Sequence, residues 1–151
     1  MGVYAREAAV PPRRRLPAIA GRYADRDLFA EYESMAGFTE WQSKKHARCR
    51  RAWEAHMETR GGDPAFPSVA DVDSFLSERI DAVAMDTVYR IYWTYLRRFF
   101  KWALWRTDCP HRYNPVLMAC VETEAGQEMW TYFIETVKGE LLDAKEAGEL
   151  E

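Results

Sequence analysis

Residues 87–106 read TVYRIYWTYLRRFFKWALWR, and the spacing of the polar side chains in this stretch decides the fold. On a wheel at about 100° per residue, Thr87, Arg90, Thr94, Arg97, Arg98 and Lys101 fall within about 100° of one another. The rest of the circumference is apolar or aromatic, from Val88, Tyr89 and Ile91 round to Trp102, Ala103 and Leu104. This pattern predicts a helix buried over most of its surface that shows solvent one narrow, purely cationic face. A helix so largely apolar needs other helices packed around it, and no segment of the chain alternates with the two-residue period of a strand. The fold class expected is therefore all-α, a compact bundle of four to six helices.

Signals on either side supply the remaining helices. Leu28, Phe29, Tyr32, Met35 and Ala36 recur at helical spacing and stop at Gly37. Thr39-x-x-Gln42 has capping-box form and opens a helix that runs to Arg60, where Gly61-Gly62 ends it. Ser68-x-x-Asp71 caps a third helix carrying Val72, Phe75, Leu76 and Ile80. Beyond Arg106, Pro110 and Asn114-Pro115 break the chain, and Pro115 opens a short helix to about Cys120. A last helix is expected from Thr123 to Ala147. Residues 1–21, with Pro11, Pro12, Pro17 and the triplet Arg13-Arg14-Arg15, read as a flexible basic arm. The division expected is an arm over 1–21, a helical domain over 22–121 and an acidic C-terminal helix over 122–151.

The formal net charge of -3 averages over unequal segments. Residues 42–60 hold six Lys or Arg against Glu54 and Glu58, and residues 87–107 hold five and no acid, whereas residues 122–151 hold nine acids against Lys138 and Lys145. An ordinary solvated helix face mixes signs, because i,i+4 pairs of opposite charge stabilise and like charges repel. A single-sign stripe calls for an anionic partner, and phosphates suit it: each contact releases counterions, and Arg offers forked donors. The helix from residue 40 repeats the pattern, with Lys44, Arg48 and Arg51 within about 60° of each other and facing away from Trp41, Cys49, Trp53 and Met57.

Other classes are not indicated. No run approaches the roughly 20 apolar residues of a membrane span. Three cysteines, Cys49, Cys109 and Cys120, do not form a disulfide framework, which fits a reducing cytoplasm. Cys109-Pro110-His111, with Cys49, Cys120, His46 and His56 scattered on helices, lacks a zinc pattern, so neither metal nor cofactor is expected.

The motifs Thr87-x-x-Arg90, Leu96-Arg97-Arg98-Phe99-Phe100-x-Trp102 and Asn114-Pro115-Val116 occur in that order. Upstream stand Trp53-x-x-His56-Met57 before Arg60-Gly61, and Val69-x-x-Val72-x-x-Phe75-Leu76. Over residues 38–118 the chain resembles the core-binding, SAM-like N-terminal domain of tyrosine recombinases (phage integrases), without the catalytic domain that normally comes after it. The resemblance implies a bundle that clamps one face of double-stranded DNA. Carried over by position, Lys44, Lys45 and Arg48 at the start of one helix, and Thr87, Arg90 and the outward arginines of the other, approach the DNA. With the wheels, the expected DNA-binding set is Lys44, Lys45, Arg48, Arg51, Thr87, Arg90, Thr94, Arg97, Arg98 and Lys101.

The family's chemistry needs a Tyr nucleophile with arginines, a lysine and a His-x-x-Arg motif to stabilise developing charge. This sequence has no His-x-x-Arg, and Tyr132 is the sole tyrosine after Pro115. The expectation is a non-catalytic DNA-binding accessory or regulator in mobile-element recombination, cytoplasmic and nucleoid-associated. The alternative is a protein-interaction adaptor of the same fold. Met129, Phe133, Val137 and Leu141 share one face of the last helix, with Trp130 and Ile134 beside it. That helix either covers the bundle's own core or, through residues 122–147, meets a second copy or a partner recombinase. Trp93 and Trp105 are weighed as base-stacking residues, of which only Trp105 falls near the cationic stripe.

Overall fold

Local capping chemistry sets where most of the helices begin. The computed structural model of the chain describes residues 3–138. In α1 (Leu28–Ala36) the Asp27 carboxylate accepts from the Ala30 N–H at 3.0 Å. In α2 (Glu40–Arg60) the capping box is complete: Gln42 N–H donates to Thr39 Oγ1, and Thr39 N–H donates to Gln42 Oε1 at 2.9 Å. Ser68 and Asp71 make the same reciprocal pair at the head of α3 (Val69–Ala82). Each box satisfies two N–H groups that a helix start otherwise leaves without partners. Gly37 and Gly61 close α1 and α2 with φ of 64° and 72°, values that a side chain at Cβ disfavours.

The largely apolar stretch around Arg97 forms one continuous rod, α4, made of a first turn at Met85–Thr87, a π-helical segment at Val88–Trp93 and an α-helical segment at Thr94–Trp105. It packs against α1, α2 and α3, and against α5 (Pro115–Glu122). Trp93, Leu96, Phe99 and Phe100 are completely buried, and Phe29 of α1 stacks on Phe99 with ring centroids 3.8 Å apart. Each such side chain stabilises the bundle by roughly 1.5–3 kcal/mol relative to exposure. The architecture is all-α, with no strand among the described residues.

Two departures from the sequence reading matter. Residues 3–21, expected as a flexible arm, lie on the bundle as short helical turns. Val10 and Leu16 are buried, Leu16 N–H donates to the Tyr113 hydroxyl at 2.9 Å, and Glu7 Oε2 accepts from Val69 N–H at 2.9 Å. The prolines there shape single turns that deliver these two apolar side chains to the core. The last helix begins as expected after Thr123, as α6 (Glu124–Tyr132), but winds on as a π-helix over Phe133–Lys138. Its expected continuation to Ala147, including Leu141, and the Val137 side chain lie outside the described residues.

Helix α6 packs on α5 and α3, with Met129 buried and Phe133 stacked on Tyr89 of α4. The two helices α5 and α6 approach so closely that a Cβ on Gly126 would stand 2.2 Å from the Ala119 carbonyl oxygen. Backbone cannot yield there as a side chain would. Gly126→Ala is therefore expected to destabilise the fold by roughly 1–3 kcal/mol, read as a lowered midpoint in thermal or urea unfolding. An unchanged midpoint would mean that α6 is not seated as described.

Candidate nucleic-acid interface

Burial of Tyr95, Leu96, Phe99 and Phe100 fixes the rotation of α4, which leaves Arg97, Arg98, Lys101 and Trp105 pointing outward. Arg98, Lys101 and Trp105 stand at i, i+3 and i+7, and Arg97 and Lys101 at i, i+4, so all four share one ridge. Beside the ridge, Leu104, Leu117, Asn114 and Val3 complete a groove of about 710 Å³. Trp105 stands at its edge, 79% exposed.

The cations of this groove have no carboxylate partner among the described residues. Arg98 and Lys101 are exposed. Arg97 is half-buried, its guanidinium over the Trp93 ring at 4.7 Å from the centroid and 5.4 Å from that of Phe133. Its Nε is buried without a hydrogen-bond partner. Burial lowers the Arg97 pKa below the usual arginine value, though not enough to matter for its charge near neutrality. A cation held against two aromatic faces is preorganised and still lacks a counter-charge.

The start of α2 adjoins this ridge. His46, which packs on Tyr95 of α4, is held below its ordinary pKa first by burial; Lys45 and Arg98 press in the same direction and Glu33 opposes them. Through this contact α2 meets α4, with Lys45 one residue from His46 on one helix and Arg98 three residues from Tyr95 on the other. Lys45 lies over the Trp41 ring and Arg48 over Tyr92, at 5.5 and 5.7 Å. Arg51 is exposed and unpaired among the described residues. Lys44 makes a loose, exposed pair with Glu40 at 3.7 Å, of the kind worth little in water.

The N-terminal part of the expected stripe is different. Arg90 donates to both oxygens of Asp86 at 3.0 and 2.9 Å, and Asp86 also accepts from the Tyr132 hydroxyl at 2.6 Å. Thr87 is half-buried in the first turn of α4. Thr94, placed by the wheel on the solvent face, has a buried Oγ1 with no partner. The π segment turns each residue by less than an α-helix does, so a wheel at about 100° misplaces Thr87 and Arg90 relative to Arg97, Arg98 and Lys101. Asp86 stands one residue before the acid-free window and escaped notice for that reason alone.

Five arginines, Arg26, Arg50, Arg60, Arg90 and Arg106, meet carboxylates, whereas Arg6, Arg13, Arg14, Arg15, Arg22, Arg79 and Arg112 make no ion pair among the described residues. Arg50 meets Asp27, Glu33 and Glu54 at 2.8, 3.2 and 2.7 Å, and Arg26 meets Glu31 and Asp108 at 2.7 and 3.2 Å. Arg97, Arg98 and Lys101 are set apart not by lacking a carboxylate but by converging on one groove, with Lys45, Arg48 and Arg51 on the neighbouring helix. No family model, curated protein or solved structure matches the chain. The functional reading therefore rests on this surface.

Two features escaped the sequence reading. Trp41, grouped there with the core side of α2, is 69% exposed, because it sits in the first turn, beyond the part of the helix that other elements cover. A second groove, of about 610 Å³, is lined by Arg14, Arg22 and Arg112, together with Asp108. Val3 N–H donates to the Arg112 carbonyl, so the two grooves open side by side near the C-terminal end of α4. Cys109 and His111 are buried; Nε2–H of His111 donates to the Ala65 carbonyl at 2.7 Å, and burial lowers its pKa to about 4. No group of three or more potential metal ligands occurs among the described residues. Trp93 is fully buried, so of the two tryptophans considered for base stacking Trp105 is the exposed one.

Proposed function

We propose that the chain binds double-stranded DNA, without cutting it, through the ridge Arg97, Arg98 and Lys101 of α4 and the adjoining Lys45, Arg48 and Arg51 of α2. In this reading it acts as an accessory or regulatory protein at sites used in mobile-element recombination, as the motif resemblance to integrase core-binding domains suggests. The observation that carries the DNA-binding part is the convergence of Arg97, Arg98 and Lys101 on one groove with no carboxylate among the described residues to neutralise them. Clustered cations repel one another, and phosphates relieve that repulsion while releasing condensed counterions. Tyr132 serves packing in this scheme: its ring lies against Tyr89 and its hydroxyl donates to Asp86.

Six cations without a strong ion pair among the described residues imply about six phosphate contacts, hence a slope near −5 in log K against log salt. Duplex affinity is expected to fall by about three decades between 50 and 200 mM salt, measured by mobility shift or fluorescence anisotropy. A flat response would overturn the assignment. Selection of bound duplexes from a random library then separates sequence-specific from non-specific binding.

A second reading has its own support in α6. Trp130 of α6 and Ile134 of the π-helical turn after it are 40% and 37% exposed, apolar side chains suited to a second copy or a protein partner. Under this adaptor reading, charged replacements of the exposed Trp130 and Ile134 abolish function, whereas under the DNA-binding reading they change only association. No helix among the described residues is long and apolar enough to cross a membrane.

A further inference from the structure

The groove beside α4 is built from more than phosphate-binding groups. A continuous duplex offers a cationic ridge only phosphates and sugars along its backbone, and its bases are stacked on both faces. Neither gives a use to a flat aromatic ring at the rim or to Leu104 and Leu117 in the wall. Trp105 exposes 79% of its surface at that rim, on the same helical ridge as Arg98 and Lys101. A tryptophan usually buries about 150–250 Å² in a core or an interface, so a ring left this bare on a cationic ridge fits a partner with a π-face. The volume, about 710 Å³, falls in the range of small-ligand clefts and accommodates a nucleotide.

We infer that this groove receives an unstacked nucleotide of the bound DNA, its base against Trp105 and its phosphate on Arg98 and Lys101, so that the protein prefers duplexes carrying an unpaired or extruded base. The inference rests on the DNA-binding reading and narrows it to a substrate class. The order of groups along the ridge supports it. Lys101 precedes Trp105 by one helical turn, which sets a phosphate-binding cation and a stacking surface side by side. Arg97, fixed over Trp93 and Phe133, lines the same cleft and adds a third positive charge. The apolar wall excludes water from a base that has left its stack, where stacking on an aromatic side chain is strongest in effect. Bases of any identity have a π-face, so the preference is for an unpaired base and not for a sequence.

The test compares two fluorescein-labelled duplexes of the same sequence, one continuous and one carrying a two-nucleotide bulge, titrated with the full chain at fixed salt. The bulged duplex is expected to bind about 5- to 150-fold more tightly, the range that one base stacked on an aromatic ring supplies. Trp105→Ala should bring the ratio of the two affinities close to one, and Trp105→Phe, which retains a stacking ring, should keep most of it. Because Trp105 is exposed, both variants should keep the far-ultraviolet circular dichroism and the unfolding midpoint of the parent. Equal affinities for the two duplexes, or a preference that survives Trp105→Ala, overturn this inference while leaving salt-dependent duplex binding in place. Absence of binding to both duplexes overturns the DNA-binding reading together with the inference.

Discussion

Replacing Arg98 and Lys101 together by glutamate is expected to weaken duplex binding by at least about 100-fold and to leave the fold intact. Each side chain contributes a charge-assisted contact of about 1.5–3 kcal/mol to a phosphate, so two lost contacts give about 3–6 kcal/mol before repulsion is added. The salt slope should flatten by about two as well, since two fewer counterions are released. Stability should change little, because both side chains are exposed and neither holds a carboxylate among the described residues; such surface substitutions stay within about 0.5 kcal/mol. Arg90 is the instructive contrast. Its guanidinium is already committed to Asp86, so Arg90→Glu would set two carboxylates against each other at the head of α4. Any loss of binding there mixes local repulsion with a lost phosphate contact. Anisotropy titrations of the Arg98/Lys101 double variant, alongside its unfolding midpoint, check the claim. Binding retained within a few-fold would remove the ridge from the interface.

The contrast between Arg98 and Arg90 also shows what the sequence could and could not disclose. Helix starts were legible because capping is local: Thr39 with Gln42, Ser68 with Asp71 and Asn114 before Pro115 act within three residues of one another. Burial of Trp53, Phe75, Leu96 and Phe99 comes from periodicity for the same reason. The π segment at Val88–Trp93 carries no such signature. A wheel drawn through it joined Arg90 to Arg97 as one stripe. Tertiary effects were equally hidden. Nothing in residues 1–21 announces that Leu16 docks under Tyr113, ninety-seven positions away, or that Trp41 projects past the end of its neighbours. The packing of His46 on Tyr95 joins α2 to α4 over the whole of α3 and the loops on either side of it, and no local rule reaches that far.

Asn114 ties the site to the fold, and its replacement by alanine is expected to destabilise the protein by roughly 2–4 kcal/mol. The residue is 1% exposed. Its Oδ1 accepts from Val116 and Leu117 N–H at 3.0 and 3.3 Å, which caps α5; its Nδ2 donates to the Arg97 carbonyl at 3.0 Å, which clips α5 to α4. Loss of an N-cap costs about 1 kcal/mol, up to about 2. Stripping buried groups of their partners adds roughly a further 1–3 kcal/mol. For a chain of this size each kcal/mol lowers Tm by about 2–4 °C, so a fall of about 4–16 °C is expected. Asn114→Asp separates the two jobs. The carboxylate still accepts from the α5 N–H groups, and even gains from the positive end of the helix. It cannot donate to the Arg97 carbonyl, and it introduces a negative charge into the wall of the cationic groove. The aspartate variant should therefore keep more stability than the alanine variant yet bind duplex more weakly than the parent. A Tm for Asn114→Ala equal to the parent's would show that the clip between α4 and α5 does not hold the groove together. An aspartate variant that binds duplex as tightly as the parent would show that phosphates lie elsewhere.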